Sequence, residues 1–173
     1  MSDTSVAGPE LAYRATQNAV VRRLCDGYAR HDLDAVVSVY TEDVHYEEKT
    51  LRWDLHSRDE VRDQLGVWFA ATSELTMSSL DSIHAAGRAG VLWRYTGTLH
   101  SGHRFDCPGM SQYTFTSDGQ ISHEIVMWNL ADLPERAAKD MGLNPATPYS
   151  LFAAWAANGR GTAAARLADD VRA

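Results

Sequence analysis

Cysteine is scarce in this chain, and so is uninterrupted hydrophobicity. Cys25 and Cys107 are the only cysteines among 173 residues, too few for a disulfide framework, so the expectation is a cytoplasmic protein with reduced thiols. No apolar run approaches the roughly 20 residues that a membrane-spanning helix needs. The opening residues, Met1 to Glu10, lack a basic region followed by an apolar one, so no secretory signal is read. Basic residues are outnumbered, 16 Lys and Arg against 23 Asp and Glu, for a net charge of −7 and a pI near 5.4. That balance argues against nucleic acid or an anionic membrane surface as the main partner. Glycine-rich phosphate loops, nucleophile elbows and dinucleotide fingerprints are also missing, which makes a cofactor-free site the default.

What remains is the composition of one globular domain, 45% hydrophobic and 23% charged, long enough to bury a sizeable core. Residues 1–9 read as a flexible tail ending at Gly8-Pro9. An amphipathic helical pattern runs from Glu10 to Arg30, with Leu11, Ala15, Ala19, Val20, Leu24 and Tyr28 on one side. After the break at His31, Asp32 caps a second helix over 32–40. A strand over 44–48, a loop over 49–56 holding Trp53, and a third helix over 58–72 follow. Ser57 with Glu60 supplies a capping box for that third helix. The rhythm then changes to four strands, over 75–86, 91–100, 103–116 and 120–129, separated by turns at 86–90, 101–102 and 117–119. The third of these strands is expected to be irregular at Cys107-Pro108-Gly109, where proline removes a ladder donor. Residues 130–141, 149–158 and 162–172 read as further helical pieces. Helices first and strands afterwards indicate an α+β protein.

Everything turns on residues 29–48, where a helical period meets a period of two. If Val44 and Tyr46 face the interior, alternation carries Glu48 inward as well. A carboxylate on the apolar face of a strand costs several kcal/mol unless it is paired, protonated or wetted by a cavity. Glu48 is therefore the first candidate for general acid–base work, with a proton affinity raised by burial, and the bland alternative is a solvated strand-end glutamate beside Lys49. Tyr46 shares its face. In the strand over 91–100, Trp93, Tyr95, Gly97 and Leu99 form one face. In the last strand Glu124, Val126 and Trp128 share another, with Glu124 a second acidic group or simply an exposed residue beside His123. His103 and Ser111 fall inward only if no bulge intervenes at Cys107-Pro108. The spacing of His100, His103 and Cys107 is ligand-like, but alternation puts the two histidines on opposite faces, and His123-Glu124 lacks the second histidine of a zinc-protease motif. No metal is expected from these residues.

Five segments in order, Tyr28–Val44, Ser57–Arg62, Tyr95–Thr98, Asp118–Ile121 and Asp132–Pro145, resemble the nuclear-transport-factor-two-like superfamily and, within it, the SnoaL-like polyketide cyclases. The resemblance implies a cone domain over 10–145, a strongly curved mixed β-sheet wrapped around the N-terminal helices, and the helical pieces beyond it read as a C-terminal extension over 146–173. It also implies a homodimer packed through the outer face of the sheet. Glu48 matches the place of the catalytic aspartate of steroid isomerases and of the water-positioning asparagine of epoxide hydrolases. Tyr46 matches a pocket tyrosine of the epoxide hydrolases, Tyr95 their arginine and Gly97 their catalytic aspartate. Val126 stands where SnoaL-like cyclases place a catalytic aspartate, and Ser111 where the isomerases place their second acid. The resemblance, with Glu48 and Tyr46 on one inward face, implies a cofactor-independent cyclase of a hydrophobic, oxygenated small molecule, including ring closure by opening of an epoxide, whereas the missing aspartate at Val126 favours a non-catalytic module. Isomerase, dehydratase, epoxide hydrolase and non-catalytic binding module stay open. The candidate catalytic set is Glu48, Tyr46, Tyr95, Glu124 and His103; the candidate substrate-binding set is Tyr28, Trp68, Trp93, Ser111, Val126 and Trp128.

Overall fold

The computed structural model describes residues 7–49, 53–100, 102 and 104–128. His103 and the segments over 130–173, including the expected extension, lie outside the described residues. Three helices come first: α1 (Ala7–Ala29), α2 (Leu33–Val37) and α3 (Arg58–Ala71). Six strands form one sheet: β1 (Tyr40–Glu48), β2 (Trp53–Leu55), β3 (Thr72–Ala85), β4 (Arg88–Leu99), β5 (Arg104–Phe115) and β6 (Ile121–Trp128). The strand order is β2-β1-β6-β5-β4-β3. Every pairing is antiparallel except β1 with β6. The result is the expected α+β architecture, a curved, unclosed mixed sheet with helices against its inner face.

Local chemistry explains most boundaries. Asp32 accepts a hydrogen bond from the Ala35 amide at 2.9 Å and so caps α2. Ser57 accepts from the Glu60 amide at 3.2 Å, while the Glu60 carboxylate accepts from the His56 amide at 2.7 Å. The turn after α1 places His31 at φ 54°, and its ring donates from Nε2 to the Phe69 carbonyl at 2.9 Å, tying this turn to α3. Helix α1 begins at Ala7, earlier than the sequence pattern suggests, because Pro9 falls in the first turn, where a missing N–H breaks no helical bond. Helix α2 ends early instead. The run Val36-Val37-Ser38-Val39 favours extended backbone, and Tyr40 already pairs with Ile121 of β6.

Two further differences bear on the interior. Residues 53–55, within a stretch read as loop, form the edge strand β2, with Trp53 opposite Glu48 and Leu55 opposite Tyr46. The irregularity expected in β5 does not occur. Its residues alternate without a break, burying Phe105, Cys107, Gly109, Ser111, Tyr113 and Phe115. Pro108 pairs with Arg94 of β4, and among the described residues the ladder with β6 reaches only to Gly109, so no described bond to β6 calls for a donor at Pro108.

Glycine lets the inner face close on itself. A Cβ on Gly97 would lie 2.5 Å from the Phe105 ring and from the Glu74 carbonyl. Gly97, the position matched above to a catalytic aspartate, is therefore covered by Phe105. Gly109 is covered in the same way by the indole of Trp93, two strand positions being filled by one side chain. Gly109→Ala should push Trp93 off its seat and destabilise the fold by about 1–3 kcal/mol, the usual cost of overpacking. Urea unfolding checks this, and an unchanged midpoint would contradict the packing described.

Candidate active site

Alternation along β1 buries Tyr40, Val44, Tyr46 and Glu48 and leaves His45 and Glu47 on the other face. Glu48 is 2% exposed, so the carboxyl group of the first strand does point inward. Glu124 is 4% exposed and faces the same interior. It lies directly between Tyr46 of β1 and Tyr113 of β5 in the strand register. A bulge makes this possible: Thr114 pairs with His123 and Phe115 with Ile121, so Ser122 is an extra residue in β6. Ile121 and Glu124 thereby both turn inward despite their odd spacing.

Glu124 is the electrostatic centre of the inner face. The Tyr40 hydroxyl donates to its Oε2 at 2.6 Å, and the Ser111 and Tyr113 hydroxyls donate as well. The Trp93 indole donates to Ser111 Oγ at 2.8 Å, fixing that hydroxyl from behind. Burial raises the Glu124 carboxyl to about 7, and the three hydroxyl donors hold it from rising further. Tyr40, Tyr46 and Tyr113 are all pushed well above the ordinary phenol range, first by burial and then by the neighbouring Glu124 charge. Tyr46 also feels Glu48, so this phenol stands between the two acids. Tyr28 of α1 is hydrogen-bonded to Tyr95, with ring centroids 5.0 Å apart, and Tyr95 rests in turn on Trp93 at 4.5 Å.

The candidates from the sequence thus converge in large part. Tyr28, Tyr46, Glu48, Trp93, Tyr95, Ser111, Glu124 and Val126 line the inner face. Trp68 and Trp128 form an aromatic group with Phe105, at 5.3 Å between the two indoles and 5.9 Å from Trp68 to Phe105. Three residues were not anticipated. Tyr40 was assigned to a helix end, although it is the direct donor to Glu124. Tyr113 follows Ser111 at strand spacing, a signal that period two carries once β5 is known to be regular. Trp53 stands opposite Glu48 with its indole N–H buried and unpartnered among the described residues. On the metal question, Cys107 is buried and His100 exposed, so these two do not form a common site. A separate polar depression of about 530 Å³ is lined by Glu74, Thr96, Thr98, Arg104 and Asp106 among others, and includes neither inner carboxylate.

The SnoaL-like domain family matches residues 21–124, well over half of the chain, and the protein belongs to that family. No curated protein matches at a significant level. Solved structures of the same fold include PrhC from Penicillium brasilianum (TM-score 0.66, 14% identity, 76% of this chain and 94% of that one). SalBIII, an epoxide hydrolase/cyclase-like enzyme in pyran ring formation in the polyether salinomycin, is similar at TM-score 0.61 and 18% identity, over 69% of this chain and 95% of that one. A protein with a ketosteroid isomerase-like fold from Catenulispora acidiphila, in complex with trimethylamine, is similar at TM-score 0.61 and 12% identity, over 73% and 94%. At these identities the likeness concerns the fold. No helix among the described residues is long and apolar enough to cross a membrane.

The electrostatics of Glu124 have a measurable consequence. Its folded-state value near 7 lies above the ordinary glutamate value of 4.5. Between the two the folded protein keeps a proton that the unfolded chain has released. The resulting stabilisation is therefore present at low pH and is lost as pH rises through about 7. Between about pH 5 and about pH 8 the wild-type protein should lose roughly 2–3 kcal/mol more unfolding free energy than Glu124→Gln. Urea titrations of both proteins at the two pH values test this, and equal losses would show that Glu124 is not held in a desolvated site.

Proposed function

We propose that this SnoaL-like protein is a cofactor-independent acid–base enzyme acting on a hydrophobic, oxygenated small molecule, and that the reaction is ring closure by attack of a hydroxyl on an epoxide. The observation that carries the reading is the Glu124 carboxyl, buried, near neutral in proton affinity and held by Tyr40, Ser111 and Tyr113. A group with both forms accessible at neutral pH suits proton transfer. Glu48, one pleat further along the neighbouring strand, supplies the second carboxylate. In this scheme Glu48 takes the proton of the substrate hydroxyl as its oxygen forms the new C–O bond. The epoxide C–O bond breaks, and Glu124 delivers a proton to the leaving oxygen. Atoms balance without a redox partner. Tyr46, between the acids, and Tyr95 orient the oxygens, and the Trp53 indole, unpartnered among the described residues, offers a further donor. The structural likeness to an epoxide hydrolase/cyclase-like enzyme supports this class of reaction among those open to the fold.

A panel of hydroxy-epoxides, with cyclic ether and diol products separated by mass spectrometry, tests the proposal. Glu48→Gln and Glu124→Gln should each lower kcat by about 10²–10⁴-fold. If Glu124 is the acid, kcat falls as pH rises through about 7, and this limb is absent in Glu124→Gln. A rate that rises through that range would instead make Glu124 the base. The second reading, a non-catalytic binder, draws on the buried Val126 at the cyclases' aspartate position and on Phe105 over Gly97. It predicts no turnover of any panel member, with ligand-induced changes in tryptophan fluorescence that survive both substitutions.

The homodimer implied by the resemblance would use the outer face of the sheet. Leu92, Met110 and Met127 are exposed and paired in register across β4, β5 and β6, with Leu80 exposed on β3 beside them. Such a continuous apolar row marks an association surface. Met110→Glu should turn a dimer into a monomer in sedimentation velocity without altering the circular dichroism spectrum. A monomeric wild-type protein would remove this part of the proposal.

A further inference from the structure

The pairing that aligns the inner carboxylates also lines up a second set of side chains on the opposite face. Three of the seven histidines of the chain meet across β6, β1 and the end of β2. The His45 and His123 rings are stacked at 4.7 Å and 4° between planes, and His56 also stacks on His45, at 4.7 Å and 15°. Two carboxylates flank the row. His45 Nε2 is 2.7 Å from Asp54 Oδ1, and His123 Nε2 is 2.9 Å from Glu47 Oε1. Imidazole nitrogens and carboxylate oxygens from neighbouring strands thus converge on one spot without any short sequence motif.

We propose that His45, Glu47 and His123 form a binding site for a divalent transition-metal ion of the zinc class. One ligand atom from each lies within 4.8 Å of the others, a spread that modest side-chain rotation closes to the separations of a tetrahedral zinc shell, with bonds of about 2.0–2.2 Å. Two imidazoles and a carboxylate select Zn²⁺, Ni²⁺ or Cu²⁺ over Mg²⁺ or Ca²⁺, which prefer oxygen alone. Three protein ligands leave a fourth position for water or an outside ligand. His45, Asp54 and His56 make an alternative triad, but the triad on β1 and β6 is favoured for two reasons. Its side chains are all partly buried, whereas those of Asp54 and His56 are 62% and 63% exposed. His45 and His123 are also direct register partners in the parallel ladder, so their backbone positions are fixed, whereas His56 follows a three-residue edge strand. Lys49 pairs with Glu47 through Oε2, which leaves Oε1, the oxygen that faces His123, for the ion. The site lies on the outer face and does not depend on the interior chemistry proposed above.

Competition of the tag-free protein with a chromophoric chelator for Zn²⁺ at neutral pH tests the assignment. The wild-type protein should take up one ion at micromolar or lower concentration. His45→Ala and His123→Ala should each weaken uptake by at least about tenfold, the smaller of the losses seen even for outer partners of metal ligands. Glu47→Gln should weaken it too, while His100→Ala, at the far end of β4, should bind as the wild-type does. Substitution of Co²⁺ should give the intense visible absorption of a four-coordinate ion. No uptake, or uptake indifferent to His45→Ala and His123→Ala, would overturn the site. Loss in His56→Ala as complete as in His123→Ala would overturn this ligand set in favour of the other triad.

Discussion

The parallel pairing of β1 with β6 is the contact on which the rest of the molecule depends. Among the described residues, all other pairings in the sheet join strands that follow one another in sequence, whereas this one joins the first strand to the sixth. It sets Tyr46 beside Glu124 and Glu48 beside Val126 on the inner face, and His45 beside His123 on the outer one. Because side chains alternate, a slip of one residue would exchange the two faces. It would place Glu47 inside and Tyr46 in water. The register is held by burial of Tyr40, Val44 and Tyr46, and by the Tyr40–Glu124 hydrogen bond, which closes the same two strands through their side chains. Polar and apolar terms therefore favour one alignment.

The same alignment makes Glu124 costly. A carboxyl group taken out of water and left unpaired loses several kcal/mol, and three hydroxyl donors recover part of that by favouring its charged form. The balance leaves the group near neutrality, neither a permanent anion nor a permanent acid. A purely structural position would be filled better by an apolar side chain, as Val126 fills the next inward position on β6. Retaining a desolvated acid with dedicated donors is the pattern expected where proton transfer is the task. It is this contrast within a single strand that weighs toward catalysis.

Much of this was legible in the sequence, and the reasons are physical. Period two in 44–48 put Glu48 inside because Val44 and Tyr46 could not both face water, and the caps at Asp32 and Ser57 act locally. Tyr40 was misread because Val36, Val37 and Tyr40 fit a helical period. The competing pairing with Ile121 comes from a distant strand, which no local window contains. Trp53 was missed because a three-residue edge strand has too little alternation to be seen. Proline at 108 suggested a break, yet β5 runs through it in unbroken register with β4, Pro108 opposite Arg94. Alternation grouped Glu124 with Val126, which is where it lies; what alternation could not show is that Ile121 shares that inward face, because the Ser122 bulge shifts the phase between them.

The outer face follows from the same logic. His123 was read as a fragment of a protease motif and His45 carried no metal reading, since ligand spacing along a chain is informative only where the ligands share one local element. A parallel ladder between distant strands makes spatial neighbours of residues whose separation carries no signal. Any residue pair placed on one face of β1 and β6 has its counterpart on the other, so the inward acids and the outward imidazoles are products of one register. Changing that register to suit either face would destroy both. The two surfaces are consequently constrained together, although their chemistries are separated by the thickness of a sheet.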